Sequence, residues 1–133
     1  MIEIIAGTAL LYLVQLLLPM RLKTGSEQAK RAAKAVKNLG ESLPVFFTLA
    51  VLSVVLGVDE NTSIALYWLI TRLLFLVIYI TGIGRQESLQ DGTNHESQKI
   101  RSLIWAVSLF FLIWISYLFI SNWGIISFYF SIY

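Results

Sequence analysis

Apolar residues fall into four long blocks along this chain. The first runs from Ile4 to Met20, with Thr8, Tyr12 and Gln15 as its polar interruptions. The second runs from Leu43 to Val58, the third from Ser63 to Ile83 with Arg72 inside it, and the fourth from Leu103 to Ile120. Each approaches the ~20 residues that a helix needs to cross ~30 Å of hydrocarbon. The second block is short by itself, but a helical pattern extends back from it through residues 28–41. The second helix is therefore expected to carry a basic, water-exposed stem. The pattern predicts helices over about 2–22, 27–58, 63–84 and 100–121, with a polar loop over 85–99. Residues 1–133 then form one all-α membrane domain, a bundle of four transmembrane helices. The closing run from Trp123 to Tyr133 is too short to span, and its Trp and Tyr content suits the headgroup interface. It is expected as an anchor or an extended tail.

Composition agrees with this pattern. The chain is 57% hydrophobic and 14% charged, with a mean hydropathy of +0.74. Soluble domains carry roughly 25% charged residues. Cysteine is absent, which excludes disulfides, thiolate metal sites and a cysteine nucleophile. The single histidine, His95, lies in the polar loop, so no histidine-based metal site is expected within the chain. A net charge of +2 is too small to suggest nucleic-acid binding. Where the charge lies matters more. The first loop and the stem hold Arg21, Lys23, Lys30, Arg31, Lys34 and Lys37, and the third loop region holds Arg85, Lys99 and Arg101. The second loop holds Asp59 and Glu60 and no basic residue. The positive-inside rule then puts loops one and three in the cytoplasm and both termini on the opposite side. The first block has no positive n-region and no small-residue cleavage site, so it reads as an uncleaved transmembrane helix. An integral multi-pass protein is expected, of a bacterial inner membrane ahead of an organellar one.

Candidate chemistry gathers on one helical face. At ~100° per residue, Arg31, Lys34, Asn38 and Glu41 fall within about 80° of one another. Polar groups near hydrocarbon are costly unless paired. One reading of this face is a site for an anionic small molecule, with cations for its carboxylates, an amide at Asn38 and Glu41 for an ammonium group. The competing reading is a solvated stem that meets anionic lipid heads, and it fits Lys30 and Lys37, which lie off that face. Arg72 is the second anomaly, because an arginine inside a span normally has a partner. It is either a cation in or below the ligand site or a tie to Gln15, Tyr12 or Glu41. At about 1.5 Å per residue it should lie roughly 16 Å deep, with Glu41 much shallower. Tyr79 is an interfacial aromatic or a ligand contact. Arg101 opens the fourth helix, where it either snorkels or stabilises an anion such as a thiolate.

These residues carry a family resemblance. The segment Arg31-Ala-Ala-Lys34-Ala-x-x-Asn38-x-x-Glu41-x-x-Pro44-x-Phe46 resembles the MAPEG family, the membrane-associated proteins in eicosanoid and glutathione metabolism. So do Arg72-Leu-Leu-Phe75-x-x-x-Tyr79-x-x-Gly82-Ile83 and Ile100-Arg101-Ser-Leu-Ile-Trp105. The resemblance implies a homotrimer with sites between adjacent subunits near the cytoplasmic face. It implies glutathione as co-substrate, bound as thiolate, and no metal. By position, Arg31, Lys34, Asn38, Glu41, Arg72 and Tyr79 would contact glutathione, and Arg101 would stabilise the thiolate. Because the loop before Arg101 is longer than the family's, Arg85 is its competitor. Lys34 stands where arginine is common, which turns a bidentate clamp into a point charge, and Phe75 lacks the hydroxyl of some members. The function implied is a microsomal glutathione transferase-like transferase or peroxidase acting on lipophilic electrophiles in the bilayer. The alternative is a non-catalytic scaffold of the same fold that binds lipid or a protein partner.

Overall fold

The computed structural model describes residues 1–81 and 95–132, with the side chains of 95–101, 125–126 and 129–130 outside its description. The described chain is entirely helical apart from short turns. It comprises α1 (Ile2–Arg21), α2 (Glu27–Val55), α3 (Glu60–Thr81) and α4 (His95–Ile132). Each contains a stretch long and apolar enough to cross a membrane.

Local chemistry sets the breaks. Ser26 caps α2, its hydroxyl accepting from the Ala29 N–H at 3.1 Å. Glu27 follows it in the first turn, where a negative charge meets the positive end of the helix dipole. α2 runs through Pro44 without a break. At its far end Gly57 takes φ +68°. There the Gly57 N–H reaches the Val54 carbonyl at 3.3 Å and the Val58 N–H reaches the Ser53 carbonyl at 2.9 Å. That pair of bonds is a Schellman motif, which closes the helix end and turns the chain toward α3. A Cβ in this left-handed conformation costs about 1–2 kcal/mol. Gly57→Ala is therefore expected to lower stability by about that amount, read as a lower midpoint of thermal unfolding in detergent.

α1 lies antiparallel to α2: Met1 shares a cleft with Ser53 and Val58, and Tyr12 reaches Gly40 midway along both helices. α2 and α3 are antiparallel and tightly registered. Ser53 meets Asn61, Phe46 meets Trp68 and Ser42 meets Arg72, so each step along one helix is matched by an equal and opposite step along the other. At the centre the Phe46 and Trp68 rings stack with centroids 4.0 Å apart and planes 9° from parallel. α4 packs along α3, with Tyr67 and Phe111 stacked at 6.2 Å.

The interior differs from that of a soluble bundle. Many buried positions are small: Ala32, Ala35, Ser42, Ala50, Ser53, Ala65 and Ser108. Helices in lipid gain little from hiding apolar surface, so close approach through small residues drives their packing. The buried hydroxyls are satisfied locally, as in Thr8 to the Ile4 carbonyl at 2.7 Å and Ser53 to the Leu49 carbonyl at 2.7 Å. Large apolar side chains such as Leu10, Leu17, Leu66, Leu74 and Phe110 point outward.

Two sequence expectations need correction. α3 begins at Glu60 rather than near residue 63. α4 begins at His95, inside the expected polar loop, and continues to Ile132 rather than ending near residue 121. The run after Trp123 is thus helical, not an extended tail. No proline follows Pro44, and a helix does not stop where its apolar span stops. At about 1.5 Å per residue α4 is roughly 57 Å long, well beyond ~30 Å of hydrocarbon.

Candidate functional site

Asn38, Glu41, Ser42 and Val45 succeed one another at helical spacing and so share one face of α2. Trp105, Leu109, Leu112, Ile113 and Ser116 do the same on α4. These two faces line a groove of about 390 Å³. Its polar side chains are Asn38, Glu41, Ser42 and Ser116, and the rest of its wall is hydrocarbon and indole. Glu41 is exposed, and among the described residues it has no hydrogen bond or ion pair. A carboxylate free to accept thus stands beside an apolar trough.

Behind this wall lies Arg72, 2% exposed. Its Nη1 donates to Asn38 Oδ1 at 2.7 Å, and its Nη2 donates to Ser42 Oγ at 2.9 Å. The guanidinium carbon sits 5.4 Å from the centre of the Trp68 ring, a cation–π contact. Arg72 Nε has no partner among the described residues. The expected tie to Gln15, Tyr12 or Glu41 is therefore replaced by one to Asn38 and Ser42. Gln15 is buried elsewhere on α1, its Oε1 without a partner.

The depth expectation also fails. Ser42, the neighbour of Glu41, bonds to Arg72, so Glu41 is level with the middle of α3 rather than at a helix entrance. α2 extends more than three turns before Asn38, so the stem takes up the difference. Sequence reasoning missed Ser42 because it sought a large polar partner for Arg72. The signal was present, since Ser42 follows Asn38 at i+4 on the same face.

The other expected residues divide. Arg31 is half-buried and Lys34 exposed, both on α2 before Asn38, and neither lines the groove. Lys30 pairs with Glu27 at 3.4 Å, with both side chains well exposed. Such pairs contribute about 0–1 kcal/mol. Tyr79 stacks on Phe75, ring centroids 5.3 Å apart, and is not a groove residue. Arg101 belongs to α4, one turn before Trp105, but its side chain lies outside those described. Arg85 lies outside the described residues.

The arrangement suits a ligand with polar ends and an apolar companion. A cation can meet Glu41, an acceptor can meet Asn38, and a lipophilic group can lie along Leu109, Leu112 and Ile113. No curated protein and no solved structure matched the chain. The MAPEG family model matches residues 4–121, which take in nearly all of the four candidate membrane spans. The chain is an integral multi-pass membrane protein and belongs to the MAPEG family.

Proposed function

We propose that this protein is a glutathione-dependent membrane transferase or peroxidase acting on lipophilic electrophiles. The observation that carries the reading is the α2–α4 groove, where an unpaired carboxylate and an amide meet an apolar wall. Glutathione has an ammonium group for Glu41 and carboxylates for Asn38, Lys34 and Arg31. Its thiol, ionised, is the nucleophile that a chain without cysteine cannot supply itself. Arg101, or Arg85 in its place, holds the thiolate, because a nearby guanidinium favours the charged form. Leu109, Leu112 and Ile113 offer the electrophile a path from the hydrocarbon.

The chemistry is direct. The sulfur electron pair forms a C–S bond with the electrophilic carbon, and the leaving group departs with its own bonding pair. With a lipid hydroperoxide, sulfur instead takes the outer oxygen, the O–O bond breaks and the alkoxide is protonated. A second glutathione then displaces water from that sulfur to give the disulfide. In either case the protein binds, orients and stabilises charge.

The groove is open along the exposed Glu41, Val45 and Ile113, and in the assembly we propose, a homotrimer, the neighbouring subunit closes it. In this reading the basic stem of α2 faces the cytoplasm and both termini the other side, the orientation that the charge bias of the loops favours. A bacterial inner membrane is the location we favour.

The test is glutathione binding to detergent-solubilised protein, with the ultraviolet absorbance of the thiolate as a second readout. Wild type is expected to bind and to develop a thiolate band, whereas S-methylglutathione binds without one. Glu41→Gln is expected to weaken binding about tenfold, the size of one lost charge-assisted hydrogen bond. Absence of both binding and band at millimolar glutathione would sink the proposal.

A further inference from the structure

The polarity of the groove's Asn38 position follows from Arg72. A guanidinium carries five N–H donors and no acceptor. The Asn38 atom that it touches at 2.7 Å must therefore be the amide oxygen. An amide of asparagine cannot usually be oriented from heavy-atom positions alone, but a donor-only neighbour orients it. The amide NH2 is then turned away from Arg72. Nδ2 has no hydrogen-bond partner among the described residues, although Asn38 lines the groove.

Ser42 holds this arrangement from the other side. Its hydroxyl donates to the Leu39 carbonyl at 2.9 Å and accepts from Arg72 Nη2 at 2.9 Å. Its one hydrogen is thus engaged, and it has only a lone pair to show to the groove. Glu41, ionised, is also acceptor-only. The α2 wall of the groove then carries one side-chain donor, Asn38 Nδ2, flanked by two acceptors.

We infer that Arg72 is a positioning residue that locks the Asn38 amide with its NH2 toward the groove, so that the bound ligand must bring an acceptor to Asn38. The inference rests on the glutathione reading of the groove and changes the part assigned to Arg72. Arg72 does not hold the ligand; it acts through Asn38, from behind the wall. The groove accordingly selects a ligand whose carboxylate or carbonyl oxygen meets Asn38 while its cationic or hydroxyl groups meet Glu41 and Ser42. A ligand with an ammonium group at Asn38 is refused.

Asn38→Asp separates the two roles of that side chain. Aspartate keeps the shape and the acceptor for Arg72, so the fold is expected to retain or exceed wild-type thermal stability. It loses the donor and adds charge, so glutathione binding is expected to weaken about tenfold or more. If the amide faced the other way, the ligand would bring a donor, and Asn38→Asp would bind as tightly as wild type or tighter. Arg72→Lys keeps a donor-only cation and is expected to bind glutathione within a few-fold of wild type. Arg72→Met frees the amide to rotate and is expected to bind several-fold more weakly at saturating folded protein. Equal binding by wild type and Asn38→Asp, or equal losses in Arg72→Lys and Arg72→Met, would overturn the positioning role while leaving the glutathione reading intact. No binding by wild type would overturn both.

Discussion

Trp68→Ala is expected to destabilise the protein by about 2–4 kcal/mol. Trp68 is 0% exposed and stacks flat on Phe46, itself 0% exposed. Removing an indole from a soluble core costs about 3–5 kcal/mol, partly because apolar surface leaves water. In a membrane the unfolded helices already sit in hydrocarbon, so that part shrinks. What remains is the void and the lost dispersion contacts, together with the ring beneath the Arg72 guanidinium. The helices on either side are held by their own backbone bonds and cannot collapse far into the gap. Trp68→Phe is expected to cost much less, because it keeps a ring against Phe46 and removes an indole N–H that has no partner. Unfolding of the two variants in mixed micelles checks this. Trp68→Ala within about 1 kcal/mol of wild type would mean that the stack is not a determinant of the fold.

Asn38→Leu is expected to cost about 3 kcal/mol, more than Arg72→Met at about 1 kcal/mol. The asymmetry comes from which group is left behind. Leucine at position 38 takes the Nη1 acceptor from a guanidinium that is 2% exposed, leaving Ser42 as its hydrogen-bond acceptor among the described residues. A stranded buried charge bears its desolvation without compensation. Methionine at position 72 removes that charge altogether. The Asn38 Oδ1 can then turn toward the groove, and Ser42 keeps its bond to the Leu39 carbonyl. The two variants, measured by the same denaturation in detergent, should keep this order. The reverse order would mean that the guanidinium is a net stabiliser whose loss outweighs a stranded charge.

Much of this was legible in one dimension. The spans α1 to α3 were readable within a few residues, because lipid demands long apolar runs and the chain contains them. Arg72 announced itself as a buried cation needing partners. Asn38 and Glu41 were marked as one wall of a site, and they do line the groove. The limits are equally specific. Arg31 and Lys34 share a helical face with Asn38 and Glu41 yet stand outside the lining, and Tyr79 is on α3, which contributes no residue to it. Angular position on a helix says nothing about height, and the groove occupies only a few turns. The far end of α4 is not legible, because the helix continues to Ile132, beyond its apolar span, and the length of that span does not set the helix end.

By itself the sequence determined that four helices cross a membrane, which end of α2 is basic, and which polar residues are out of place in hydrocarbon. Each of these follows from the cost of polar groups in lipid, a property of single residues and their neighbours along the chain. Only the tertiary structure decided that Arg72 meets Asn38 and Ser42, and that Glu41 is level with it rather than above it. The register of α2 against α3 sets both, and it is fixed by the Phe46–Trp68 stack and the small residues around it. That is a contest between whole helix surfaces, with close fit as the driving force, and no periodicity within either helix encodes its outcome.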